Sequence, residues 1–150
     1  MVSFDESFPM VMHRALDLVM PVYRDLFSRY DVTEQQWRVL RVIWTSKNVT
    51  SSELSERTLL STPSLVSIID RLEKKGLVNR VRSVEDRRQI YVIATANGRA
   101  LQEEVTPQVA EIQDRILKTV TSEEWQQLQN ILGKISNGMN ENKFELAANS

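Results

Sequence analysis

A chain of 150 residues with no cysteine, one histidine and a formal net charge of −1 narrows the possibilities at once. Disulfides, thiolate catalysis and thiol redox sensing are excluded, and a lone histidine without cysteine cannot assemble a zinc site. An apolar share of 41% suits one globular domain spanning residues 1–150, no apolar run approaches the roughly 20 residues of a membrane helix, and the acidic start "MVSFDESF" does not read as a signal peptide. A cytoplasmic chain is the expectation.

In chain order, the first predicted element runs from about Phe8 to Arg29, where Phe8, Val11, Ala15, Leu18, Val22 and Leu26 recur at helical spacing and Pro21 marks a place for a kink. Capping boxes then announce helix starts. Thr33 with Gln36, Thr50 with Glu53 and Thr121 with Glu124 each offer a side-chain acceptor to the third helical N–H and a Glu or Gln that reaches back. The helix from Thr33 to about Ser46 carries Trp37, Leu40 and Trp44 along one side with Val39 and Ile43 beside them, which predicts burial over most of its circumference. A short helix over about 51–58 follows. Next, Thr62 is the expected cap and Pro63 the expected first residue of a helix that stops at Gly76.

In that second short helix, Leu65, Ile69 and Leu72 form an apolar face, and Ser64, Ser67 and Arg71 lie opposite. From Leu77 the period changes to that of strands. "LVNRVRS" and "QIYVIAT" are β-branched and aromatic-rich, joined by a charged link of about five residues. Thr95 then caps a long helix with Leu101, Val105, Val109, Ile112 and Ile116, with Pro107 as a second candidate bend. The last helix repeats Trp125, Leu128, Leu132, Ile135 and Met139 at steps of three and four, the spacing of a helix seam, and the tail "NENKFELAANS" reads as low in structure. The order is four helices, a hairpin and two helices: a mainly α fold with a small β-hairpin wing, whose winged helix-turn-helix core covers about 33–95 between helices at about 8–30 and 96–140.

Charge is uneven along this plan. Residues 70–88 hold seven basic and four acidic side chains, whereas residues 101–150 hold four basic and eight acidic. An anionic partner for the middle of the chain is implied, and a helix-turn-helix followed by a basic loop points to DNA. Thr62, Pro63, Ser64, Ser67 and Arg71 sit where a recognition helix approaches bases and phosphates, and Arg87 and Arg88 sit at the loop tip, suited to a minor groove or flanking phosphates. Asp86 reads as an intramolecular partner that pairs with a neighbouring arginine and fixes the shape of the wing. The outer helices carry more apolar surface than so small a domain can cover, which calls for a second copy.

The stretch "PSLVSIIDRLEKKGLVNRVRSVEDRRQIYVIAT", residues 63–95, resembles the MarR family of bacterial regulators, as do "TEQQWRVLRVI" at 33–43 and "TANGRAL" at 95–101. The resemblance extends from about residue 8 to 140. It implies an obligate homodimer with interlocked terminal helices, bound to a palindromic operator, with Asp86 as the wing-bracing carboxylate and Arg88 as the minor-groove arginine. Two-fold symmetry would set the recognition helices about 34 Å apart, one turn of DNA. The resemblance also implies a small phenolic or carboxylate effector in a cleft between the DNA-binding lobe and the dimerisation helices, and "TEQQWR" is particularly similar to regulators of aromatic-acid degradation operons. Candidate effector groups are His13, Arg14, Arg38 and Arg41.

Three of these groups have a second reading. Arg38 and Arg41 could instead pair with carboxylates of the chain or its mate, and His13 could be a packed or exposed side chain without a ligand. No phosphate-cradling glycine loop is present, and Glu103 and Glu104, adjacent on a helix, diverge, so an enzyme is not expected and no cofactor or metal is implied. A repressor released by an aromatic acid is the leading expectation. A winged-helix module for protein partners and a ligand-independent DNA binder are the alternatives.

Overall fold

The computed structural model describes residues 3–148, with side chains described through residue 140. After a 3-10 turn at Phe4–Glu6 come α1 (Phe8–Ser28), α2 (Glu34–Thr45), β1 (Val49–Thr50), α3 (Ser51–Thr58), α4 (Thr62–Lys74), β2 (Val78–Arg82), β3 (Ile90–Ala94), α5 (Ala96–Leu117) and α6 (Ser122–Ala148). The residues group into two compact units, Met1–Val109 and Ala110–Ser150.

The first unit is built around α2. Trp37, Val39, Leu40, Ile43 and Trp44 are all buried, against α1, α3, α4 and β3, but Gln35, Arg38, Arg41 and Thr45 form an exposed stripe, so burial covers one broad face rather than most of the circumference. Both expected capping boxes form here. Thr33 Oγ1 accepts from the Gln36 backbone N–H while Gln36 Oε1 accepts from that of Thr33, each at 3.1 Å, and Thr50 and Glu53 repeat the exchange at α3. The two hydrogen bonds to Thr50, first from its backbone and then from its hydroxyl, hold the Glu53 carboxyl below its ordinary pKa. An aromatic column joins α1 to α2, with ring centroids 6.1 Å apart for Tyr23 and Phe27, 4.8 Å for Phe27 and Trp37, and 5.1 Å for Trp37 and Trp44, the last pair edge to face.

At α4 the sequence expectation is off by one residue. Ser61 is the N-cap, Thr62 is already helical and Pro63 follows it in the first turn. Proline tolerates either of the first two helical positions, because the N–H it lacks has no helical partner there. The Ser61 hydroxyl donates to Ser64 Oγ at 2.9 Å rather than accepting from the helix. Leu65, Ile68, Ile69 and Leu72 are buried, and Gly76 ends the run at φ +70°.

The hairpin is part of a three-stranded antiparallel sheet in the order β1-β3-β2, with Val78 opposite Ala94 and Arg82 opposite Ile90. Strand β1 is not legible in the sequence, since two residues show no period; Val49 pairs with Val92 and Thr50 with Tyr91. The link between β2 and β3 spans 83–89, longer than expected at both ends. Ser83 N–H still donates across to Gln89 O at 2.9 Å, but the Gln89 N–H turns inward to Asp86 O at 2.9 Å and ends the ladder.

Where the wing returns to the helices, backbone meets backbone. Thr95 N–H donates to Leu77 O at 3.1 Å, the Thr95 hydroxyl donates to Gly76 O at 2.6 Å, and Thr95 Oγ1 accepts from Gly98 N–H at 3.1 Å. A Cβ on Gly98 would lie 2.1 Å from Leu77 O. Helix α5 continues through Pro107, as α1 does through Pro21.

In the second unit, Thr121 and Glu124 form the expected box at α6, with hydrogen bonds of 2.8 and 3.1 Å. The tail expected to be low in structure instead continues α6 to Ala148. Its Glu, Lys, Leu and Ala are good helix formers, and no proline or glycine follows Gly138. Residues 149 and 150 lie outside the described residues.

Gly98→Ala forces the Leu77 carbonyl to move, because the obstructing atom is backbone. The expected cost is about 2 kcal/mol or more. It is read as a lowered urea midpoint at unchanged slope, and an unshifted midpoint would contradict the close approach.

Candidate nucleic-acid interface and adjoining cleft

Helix α4 exposes Thr62, Pro63, Ser64, Ser67 and Arg71 while burying its opposite face. The arrangement follows from helical period alone: at about 3.6 residues per turn, Ser64, Ser67 and Arg71 fall within one narrow stripe. Short side chains in the first turns leave the helix free to approach another surface closely.

Strand β2 runs from the end of this helix into the loop at 83–89. Asp86 Oδ1 accepts from the Arg88 backbone N–H at 3.0 Å and from Arg88 Nε at 3.3 Å, and the Asp86 N–H donates to Ser83 Oγ at 3.1 Å. The carboxylate thus closes a small ring of backbone and side chain within the loop. Arg88 remains 92% exposed despite this pairing, so its charge stays available at the tip. Arg87 is exposed too.

One arginine of the basic stretch has a different use. Arg80, on β2, donates from its backbone N–H to Glu73 Oε1 at 3.0 Å, from Nη1 to Glu73 Oε2 at 2.5 Å and from Nη2 to Asp70 Oδ1 at 2.6 Å. Burial alone would lower the pKa of this guanidinium, but the bonds from Asp70 and Glu73 outweigh it and raise the value. Arg80 fastens the wing to α4. Lys75 is similarly engaged, paired with Asp31 Oδ2 at 3.0 Å and also donating to the Asp31 carbonyl and to Gln36 Oε1. Arg71, Lys74, Arg82 and Arg87 are the exposed cations of 70–88 that have no ion-pair partner among the described residues.

Beside α4 lies a cleft of about 620 Å³ between α1, α2 and α4. That size is within the usual range for small-molecule sites. His13, Asp17, Met20 and Arg24 reach it from α1, Glu34 and Arg38 from α2, and Ile68 and Arg71 from α4. Of the four effector candidates, His13 and Arg38 are therefore brought together, whereas Arg14 and Arg41 are not among the lining residues. Arg14 pairs with Asp5 at 3.0 Å on the surface. Arg41 lies near Tyr23, where burial raises the phenol's pKa and the guanidinium partly opposes it.

Arg38 takes the intrachain alternative. Its Nη2 meets Glu34 Oε1 at 2.5 Å, and its Nη1 donates to Thr58 O at 3.1 Å, satisfying a carbonyl at the end of α3. Arg24 and Asp17 are absent from the sequence-based candidates. Their signal is nonetheless present, because His13, Asp17, Met20 and Arg24 recur at steps of four, three and four, a second stripe beside the apolar one. Among the described residues no group of acidic or histidine side chains is arranged to hold a metal ion.

A winged helix-turn-helix with a small polar helix face, a charged wing and an adjoining polar cleft is the architecture of winged-helix transcriptional regulators. The family model of the MarR family matches residues 32–90. The chain is similar to the homoprotocatechuate degradative operon repressor of Escherichia coli, 32% identical over 127 residues that cover 85% of this chain and 86% of that one. It is also similar to the HTH-type transcriptional regulator FarR of Neisseria gonorrhoeae, 31% identical with 91% and 90% covered. In three dimensions it resembles NadR, solved in complex with 4-hydroxyphenylacetate, at a TM-score of 0.75 and 29% identity, covering 89% of this chain and 94% of that one. The chain belongs to the MarR family.

Arg80→Ala leaves Asp70 and Glu73 facing each other without a cation. With Arg80 29% exposed, the expected loss is about 1–2 kcal/mol. Chemical denaturation measures it, and Arg80→Lys is expected to restore only part, since one ammonium cannot span two carboxylates in the manner of a fork.

Proposed function

We propose that this chain is a homodimeric, sequence-specific DNA-binding repressor that leaves its operator when a small aromatic carboxylate binds. The observation that carries the reading is the pairing, within one unit, of an exposed Ser64, Ser67 and Arg71 face with a wing that presents Arg87 and Arg88, the two fastened through Arg80. Ser64, Ser67 and Arg71 enter a major groove with Thr62 and Pro63 at the helix start, Arg88 enters the neighbouring minor groove, Arg87 adds a phosphate contact and Asp86 holds the loop in shape.

Dimerisation is supported by the apolar surface left uncovered on the outer helices. On α1, Phe8, Val11, Leu18 and Val22 are exposed, and on α6, Leu128, Ile131, Ile135 and Met139 are exposed, most of them on the stripes that the sequence places at seam spacing. A palindromic operator follows from two-fold symmetry. Replacement of one seam residue, Ile135→Asp, is expected to yield monomers by light scattering and to abolish operator binding. A variant that stays dimeric would place the interface elsewhere.

An effector of carboxylate chemistry is supported by the cations of the cleft and by the aromatic acids named for similar regulators, homoprotocatechuate for the Escherichia coli repressor's operon and 4-hydroxyphenylacetate for NadR. His13 and Arg24 provide donors on α1, and Arg38 lines the wall across from them. Release requires that the acid bind better to a dimer whose recognition helices are misplaced for successive grooves. A coupling of about 1–3 kcal/mol weakens DNA binding some 5- to 150-fold.

Gel shifts with DNA upstream of the chain's own gene and its neighbours test the reading. Arg88→Ala is expected to weaken binding by about 1–3 kcal/mol and to flatten the salt dependence by about one counterion. Asp86→Ala is expected to weaken it several-fold despite removing a negative charge. Binding indifferent to sequence and to Arg88 would favour a protein-interaction module. A flat thermal-shift response to 4-hydroxyphenylacetate, benzoate and 6-hydroxynicotinate would favour a ligand-independent binder.

A further inference from the structure

We infer that Arg71 serves two anions in turn, a DNA phosphate and the carboxylate of the effector, so that the acid releases DNA by capturing a guanidinium that the operator needs. The inference rests on the reading above that an aromatic carboxylate enters the cleft between α1, α2 and α4. It adds a direct route of competition to the respacing of the two recognition helices.

The placement of Arg71 carries the argument. From α4 the cleft receives only Ile68 and Arg71, and Ile68 is 7% exposed, so Arg71 is the polar group of the recognition helix that faces this space. The same residue belongs to the exposed stripe. At about 100° per residue, Arg71 projects between Ser64 and Ser67 and only about 60° from Ile68. It belongs to the exposed stripe and also lines the cleft, and its long stem lets one guanidinium swing between the two.

Charge pairing inside the cleft selects the same residue. Its cationic side chains are Arg24, Arg38 and Arg71, with His13 beside them, and its carboxylates are Asp17 and Glu34. Glu34 and the Thr58 carbonyl already occupy Arg38, whose two terminal nitrogens are both committed. Arg71 and Arg24 have no ion-pair partner among the described residues. An entering carboxylate therefore meets Arg71 and Arg24 as the arginines of the cleft whose charge is not already paired. A guanidinium drawn into the cleft by a carboxylate in two parallel hydrogen bonds is turned away from the exposed stripe, where a phosphate would need it.

Arg71→Gln and Arg71→Lys, each checked for an unchanged thermal midpoint, separate this route from the alternatives. Three quantities are measured by fluorescence titration: affinity for the bound upstream DNA fragment without acid, affinity for 4-hydroxyphenylacetate or benzoate without DNA, and the factor by which saturating acid weakens the DNA complex. In Arg71→Gln, DNA affinity is expected to fall roughly 10-fold, acid affinity to fall by a comparable factor, and the weakening factor to shrink toward one. Arg71→Lys keeps the charge but not the fork, so it should retain more DNA affinity than acid affinity. Loss of DNA affinity with unchanged acid affinity would overturn the inference, because Arg71 would then touch DNA alone. Loss of acid affinity with unchanged DNA affinity would overturn it from the other side. If the wild-type protein binds neither acid, the effector reading itself falls and this inference falls with it.

Discussion

Helix α2 buries one broad face against four other elements, and the first unit is arranged around that face. Its twelve residues bury Gln36, Trp37, Val39, Leu40, Ile43 and Trp44 on that face, while Gln35, Arg38, Arg41 and Thr45 stay exposed on the other. The end of α1 supplies Leu26 and Phe27, α4 supplies Leu65, Ile69 and Leu72, and β3 supplies Val92. Once those elements have turned their apolar faces inward, the polar stripe of α4 has nowhere to go but outward. The exposed polar face of α4 is thus the complement of the core, and the cleft is the gap left where α1 passes α2 and α4 without full packing.

Much of this was legible in residue order because the signals are local. A capping box needs four residues, a glycine cap one, and an amphipathic stripe three turns, so Thr33, Thr50, Thr121 and Gly76 declare their roles without tertiary information. What was not legible depends on residues far apart in the chain. Strand β1 is too short to have a period and exists because Val92 and Tyr91 offer it an edge. The cap at Ser61 rather than Thr62 is a choice between adjacent equivalents. Within the site, the exposed serines and the paired Asp86 and Arg88 could be anticipated from spacing, whereas the engagement of Arg38 with Thr58 O joins residues 20 positions apart.

Charge counting illustrates the same limit. Seven basic residues in 70–88 suggest one broad anion-binding surface, but two of them, Arg80 and Lys75, are used to hold the fold together. The surface that remains is smaller and more articulated. It consists of single cations placed at separate points, each able to contribute contact geometry as well as attraction.

The Arg80 clamp has a consequence for how such a protein diversifies. Strand and helix are joined through Asp70 and Glu73, neither of which belongs to the stripe of Ser64, Ser67 and Arg71. The outward stripe can accumulate substitutions one position at a time while the distance between helix and wing is conserved by the clamp. A lineage built on this frame can alter the chemistry of its outward face without disturbing the joint between helix and wing.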